Sequence, residues 1–362
     1  MWGESSPFEQ ESDLGGEDDV AMRPFRRCAV SLSVVWPVII LVAGCVGVQP
    51  SASPVVSKRT QMHMGTLVVI TAVASDKSVG DRAMQAAFDE IKRLEQLLST
   101  WRSDSELSRV NQAAGRQPVQ VSSETLELVT RSLELGRLTM GGFNIALGPA
   151  IEAWSVIERQ RIPNERELQG LKPLVDWTRI QVNQEARTIY LLQQGMQIDV
   201  GGIGKGYAAD RAVEEMKRAG ARGGIVALSG DIKTFGVLPD RNRFPVGIRH
   251  PREEGALIAM IDLNDEAIST AGDYERFFER DGVRYHHILD PQTLQPARAC
   301  QSVTVIAKEG TTADGLDTGI FVLGPEQGMA LVERLPGVEA IIIDQEGKIT
   351  VSSGLRGRLH AP

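Results

Sequence analysis

The chain has almost no cysteine: three residues in 362. Cys28 lies in an apolar N-terminal stretch, Cys45 closes it, and only Cys300 belongs to the body of the chain. No internal disulfide and no cysteine metal site can form there, so the fold must rest on its core. Charge of one sign is also scarce. The formal net charge of −8 is inflated by residues 1–44, where seven acids face three arginines; the remainder carries 40 acids and 36 bases. That near-balance exerts no long-range pull on nucleic acid or anionic lipid, so an anionic ligand must be held locally. There is no internal repeat and no regular βαβ alternation, which argues against a doubly wound sheet. With 42% hydrophobic and 24% charged residues the chain is neither disordered nor fibrous, and it is long enough to bury a large core.

The apolar run from Cys28 to Ala43 falls short of the ~20 residues that span a bilayer. It follows Arg23, Arg26 and Arg27 and ends in Val42-Ala43-Gly44-Cys45, a pattern similar to a bacterial lipobox. Residues 22–44 therefore read as a lipoprotein signal peptide, with Cys45 as the lipidated residue; an uncleaved anchor is the plainer alternative. An acidic stretch before such a signal is unusual, so residues 1–21 are expected to carry no function and Met22 to be the true start. The expected location is the bacterial cell envelope, lipid-anchored and facing the periplasm. Residues 45–60, rich in Ser, Val and Pro, suit a tether, and residues 61–362 a single domain.

Within that domain Met62–Ala74 reads as a strand, and apolar residues from Ala83 to Leu98 at helical spacing predict a helix over 78–99. Ser103 and Glu106 give a capping-box start for a short helix. Further helices are predicted at 123–139, 164–171, 205–219, 312–322 and 325–334. Short strands fill much of 179–306, with others at 338–344 and 348–352. The mixture predicts an α+β fold with mainly antiparallel strands.

The run Asp199–Asp210, DVGGIGKGYAAD, lies between an apolar strand and a helical pattern. Gly201, Gly202, Gly204 and Gly206 let backbone approach a ligand, the helix start offers free N–H groups, and Lys205 adds positive charge, so the loop is an anion cradle. It is not a Walker loop, because Gly206 stands where a magnesium-binding Ser or Thr is needed. Gly204, Gly206 and Ala209 with Asp231 spell a Rossmann-like fingerprint, which is weak alone and lacks a βαβ setting. Lys205 has no structural motive at a helix start, since its charge opposes the helix dipole. Asp314, Asp317 and Thr318 stand at i, i+3 and i+4 of a predicted helix: a solvated face, or three oxygen donors for a hard cation such as Mg²⁺. His286 and His287 would point to opposite faces of a strand and cannot pair on a metal. His287 suits an acid or base near neutral pH, or a hydrogen-bonded structural role. Trp101 and Phe143, by residue type, are core aromatics.

Several segments occur together: Met64-Gly65-Thr66, WRSDSELSRVN from Trp101, GGFNIALGPAIEAW from Gly141, ALSGDIKTFG from Ala227, STAGDYERFF from Ser269, YHHILDPQT from Tyr285 and SVTVIAKEGTTADGLDTGIFVLG from Ser302. In this order, over roughly residues 61–354, the chain resembles the ApbE family, the FAD:protein FMN transferases. The resemblance implies one compact α+β domain with the flavin in a cleft. It implies a Mg²⁺-dependent enzyme that transfers FMN from FAD to a threonine of an acceptor protein through a phosphoester, releasing AMP, with membrane attachment and no nucleic-acid partner. Asp314, Asp317, Thr318 and the Gly202 carbonyl would hold the ion. Asp199 and Lys205 would contact FAD, Lys205 neutralising its diphosphate. Met64, Trp101, Gly142, Phe143, Asn144, Thr270 and Ile288 would line the flavin pocket, and His287 would activate the threonine. The chain departs from the family pattern at Asn144, Ser229 and Ala271, and at Leu294, where leucine replaces a glycine. A left-handed turn would be strained there, so a differently shaped turn is expected. An FAD pyrophosphatase giving free FMN and AMP, and a non-catalytic FAD-binding lipoprotein, are the rival readings.

Overall fold

The computed structural model describes residues 53–362; residues 1–21, the signal segment, Cys45 and the first part of the tether lie outside the described residues. Eight strands form the main sheet: Val55–His63, Thr66–Ala74, Gly223–Leu228, Asp231–Phe235, Ala267–Gly272, Cys300–Ala307, Glu339–Asp344 and Ile349–Val351. Their order across the sheet is their order along the chain, and every pairing is antiparallel. Helices fill the long connections. They are α1 Lys77–Leu98, α2 Glu106–Gln112, α3 Ser123–Leu138, α4 Gly148–Trp154, α5 Glu165–Leu171, α6 Gly204–Arg218, α7 Gly310–Leu323 and α8 Pro325–Val332. The α+β expectation holds. Among the described residues no helix is long and apolar enough to cross a membrane.

Side-chain alternation explains how the sheet is covered on both sides. Val68, Ile70, Ala72, Val303 and Val305 join Ala83, Ala87, Phe88 and Ile91 of α1 and Ala208, Ala212 and Met216 of α6 in the main core. Ile268, Ile306 and Ile341 face the other way, onto Val246, Ile248, Ile261 and Leu263 of a small three-stranded sheet. All eight residues of Cys300–Ala307 are buried as a result.

Four local expectations need correction. The tether does not extend to residue 60, because Val55–His63 pairs along its whole length with Thr66–Ala74. The single strand expected at Met62–Ala74 is therefore a hairpin, with Met64 and Gly65 at positive φ in its turn. The cap of α2 is Ser105, whose hydroxyl accepts from Ser108 N at 3.0 Å, and not Ser103; Glu106 instead bonds Ser122 and Thr125. Finally, Leu294 does adopt the left-handed turn, at φ 59°. Its side chain is fully buried with Leu147, Ala150 and Trp154, and Trp154 Nε1 donates to its carbonyl at 2.7 Å. Burying a leucine is worth about 1.5–3 kcal/mol, enough to offset the ~1–2 kcal/mol of left-handed backbone.

Candidate active site

The glycine loop and α7 meet at backbone distance. A Cβ on Gly206 would stand 2.1 Å from Gly310 O, and one on Gly310 would stand 2.6 Å from Gly206 O, so neither position accepts a side chain. The close crossing lets Gly206 N donate to Asp314 Oδ2 at 2.8 Å. Helix α7 has no capping side chain of its own. Asp210 of α6 serves instead, accepting from Gly310 N at 2.7 Å and from Thr311 N and Oγ1 at 2.8 Å. Burial raises the Asp210 pKa, against the opposing pull of these hydrogen bonds.

Anchored this way, α7 turns Asp314 and Asp317 inward, 3% and 2% exposed, so the solvated-face reading fails. Asp231, at the start of its strand, joins them; one carboxylate oxygen from each of the three lies within 4.8 Å of the others. Lys205 Nζ donates to Asp231 Oδ2, so its charge is directed into the acidic cluster. The Ser269 hydroxyl sits between Asp231 and Asp317, 2.6 Å from the latter, and Thr318 Oγ1 donates to Asp317 Oδ1 at 3.1 Å. Gly202 completes the group, since a Cβ there would lie 3.1 Å from Thr318 Oγ1.

The electrostatics follow from this crowding. Burial, then the Asp231 charge, pushes Asp314 up to about 7. Burial and then Asp314 hold Asp317 well above the carboxylate range. For Lys205 burial works downward, but Asp231 and Asp314 outweigh it and keep the ammonium above its usual pKa. Three carboxyl groups crowd one lysine in a buried, oxygen-only donor set, and without a cation their repulsion is relieved by the protons that Asp314 and Asp317 retain. That chemistry fits a hard divalent cation, which would relieve the repulsion.

The cluster lies on the wall of a cleft of about 750 Å³, in the upper part of the range for small-molecule sites. Gly142, Phe143, Asn144, Asp199, Gly202, Lys205, Thr270, His287 and Ile288 also line it, as does Trp101. Trp101 is 80% exposed, so it is no core aromatic, whereas Phe143 at 3% belongs to both core and cleft. Met64 is the exception among the expected residues. Its side chain packs towards Gly204, and the hairpin turn reaches the cleft through Gly65 and Thr66. Asp199 is fixed by Thr100 Oγ1 at 3.1 Å and Gly201 N at 2.8 Å. Asn144 accepts from Ala146 N and donates to Val175 O, both at 2.8 Å, which an aspartate could not do.

The two histidines do face opposite ways. His286 is buried, with its Nε2–H donating to Ala297 O at 2.7 Å. His287 lines the cleft and is exposed to the cleft's space. Desolvation, then His286 and Arg276, pushes it down to about 3, so the ring is neutral. Its Nδ1 lies 3.2 Å from the Arg276 carbonyl, which can only accept. The proton is thereby placed on Nδ1 and the Nε2 lone pair left free. Sequence reasoning missed Asp231, Ser269 and Asp210 as parts of the site. The S-G-D segment was the available signal for Asp231; nothing local marks the other two.

Known proteins share this arrangement of elements. The ApbE family profile matches residues 64–342. A FAD:protein FMN transferase of Treponema pallidum is 34% identical over 320 residues, covering 83% of this chain and 88% of the relative. The Escherichia coli K12 protein of the same name is 34% identical over 260 residues, covering 70% and 74%. The solved ApbE protein of Thermotoga maritima superposes with a TM-score of 0.78 at 30% identity, covering 84% of this chain and all of that one. The flavin transferase ApbE of Vibrio cholerae gives 0.75 at 28%, covering 84% and 99%. Sequence and architecture agree along nearly the whole described chain, which belongs to the ApbE family.

Proposed function

We propose that this protein is an enzyme that transfers FMN from FAD to an acceptor protein, the activity named for its relatives. The observation that carries this reading is the buried Asp231–Asp314–Asp317 cluster beside the glycine loop, on the wall of a cleft with room for a dinucleotide's reacting half. Phosphoryl transfer needs positioning and charge neutralisation more than covalent chemistry from the protein. A bound Mg²⁺ would neutralise phosphate charge, held by Asp314, Asp317, Thr318 and the Gly202 carbonyl, with Asp231 alongside. Lys205, fixed by Asp231, adds positive charge at the same wall; the loop amides orient the diphosphate. The acceptor's threonine oxygen forms a bond to the FMN phosphorus, the bridging P–O bond breaks, and AMP departs. We assign the threonine proton to His287, whose neutral ring lines the cleft with Nδ1 held by the Arg276 carbonyl and Nε2 without a protein partner among the described residues. The flavin ring would have Phe143, Ile288 and the exposed Trp101, all of which line the cleft, as apolar neighbours.

We further propose that the protein acts at the bacterial cell envelope, anchored through lipidated Cys45 and facing the periplasm, as the Met22–Cys45 pattern suggests. Incubation with FAD, Mg²⁺ and an acceptor carrying a threonine, followed by mass spectrometry, tests the activity. Addition of FMN less water to one threonine is expected. Free FMN with unmodified acceptor would instead identify a pyrophosphatase, and intact FAD a carrier.

A further inference from the structure

A second cavity of about 260 Å³ lies behind the strand end Thr270–Gly272, lined by Arg252, Asp273, Arg284, His286, Arg298 and Gln345 among others. A thin wall divides it from the cleft: Gly272 and His287 line the cleft, and their neighbours Asp273 and His286 line this cavity. Asp273 is 4% exposed and already engaged. Arg252 clamps both its oxygens at 2.7 Å, and Arg284 Nη1 stands 3.5 Å away. His286 adds no charge, because its Nε2–H donates to Ala297 O and its Nδ1 accepts from Ile288 N at 3.3 Å.

Arg298 forms no ion pair among the described residues. It donates to the Arg284 carbonyl at 2.6 Å and lies over the Tyr285 ring. Three guanidiniums thus share one lining carboxylate, and among the described residues the only other acid on them is the exposed Glu279, which holds Arg284 from outside at 3.0 Å. Guanidinium forks match oxyanions in bidentate geometry, and like charges gathered in a concave space raise the local anion concentration. The geometry points to a binding site here for a compact phosphate dianion, as the inorganic ion or the head of a small phosphomonoester. Asp273 and Glu279 offset two of the three guanidiniums, so the charge left for an occupant centres on Arg298, and a tetrahedral phosphate has enough oxygens for Arg252 and Arg284 to share it as well. The volume admits phosphate together with several waters, each taking ~30 Å³. An occupant would compete with Asp273 for Arg252, and so act on the strand end whose other face lines the cleft.

Equilibrium dialysis with labelled inorganic phosphate at constant ionic strength, with and without saturating FAD, tests the site on the folded full chain. One saturable site that FAD does not displace is expected. Arg298→Ala should weaken it at least tenfold while leaving the melting temperature without phosphate unchanged, since that side chain is exposed. Glycerol phosphate competing as well as phosphate would assign the monoester; failure to compete would assign the free ion. Absence of saturable binding, equal affinity in Arg298→Ala, or displacement by FAD would each overturn the proposal.

Discussion

At the scale of single residues, Asn144 and Leu294 show why departures from a family pattern are hard to weigh without coordinates. The Asn144 amide donates to a buried carbonyl, so restoring the family's aspartate removes a donor and sets two acceptors against each other. Asn144→Asp should cost about 1–3 kcal/mol, read by denaturant unfolding, with FAD affinity altered less than stability. Leu294 looks like a place where glycine would help. Its side chain, however, fills the cluster around Trp154, and the deletion cost of a buried leucine, about 2–5 kcal/mol, exceeds the relief of left-handed strain. Leu294→Gly should therefore destabilise, and a raised melting temperature would contradict that balance. Asp314 separates the solvated from the metal-binding reading most sharply. Asp314→Ala should abolish AMP release from FAD at all Mg²⁺ concentrations, and full activity in that variant would remove it from the site.

At the scale of elements, long helices such as α1 and α6 were legible because apolar residues recur at helical spacing, whereas α4 at Gly148–Trp154, too short to show that period, was not predicted. The hairpin at residues 55–74 was not, because Val55–His63 is an edge strand with alternately exposed residues and reads as an unpatterned, polar stretch. Most of the cleft could be placed from motifs. Asp210 could not, because its role depends on α6 lying across the start of α7, a contact between residues 100 apart in sequence. That contact has a testable consequence. Asp210→Ala leaves the Gly310 and Thr311 amides unpaired where α7 begins, freeing the helix that carries Asp314 and Asp317. The Mg²⁺ concentration for half-maximal activity should rise several-fold, more than the KM for FAD, whereas a purely structural loss would lower kcat alone through the folded fraction.

At the scale of the whole molecule, buried titrations of opposite sign shape stability against pH. Asp314 and Asp317 have raised pKa values, so the native state keeps protons that the unfolded chain has released. Their favourable contribution is complete below the unfolded carboxylate pKa of about 4; that of Asp314 is lost as pH rises through about 7, and that of Asp317 only well above the ordinary carboxylate range. His286 and His287 are depressed to about 4 and about 3, so their contribution is present above about 6.5 and lost as pH falls towards those values. Without a divalent ion, maximal stability should lie between these limbs. Added Mg²⁺ should raise the melting temperature more at pH 8 than at pH 5.5, and an equal shift at both would show that the carboxylates are not where it binds. The early start of the first strand bears on a different property, the enzyme's working distance. Between Cys45 and Val55 lie residues 46–54, nine in number, where sixteen had been assigned to a tether at 45–60. Fully extended they reach about 30 Å, and the strand that follows is stitched into the sheet and runs straight to the cleft's edge at Gly65. Were Cys45 to carry the proposed lipid, the enzyme would graze a thin layer above the bilayer, and only acceptor threonines presented within that layer would come into its range.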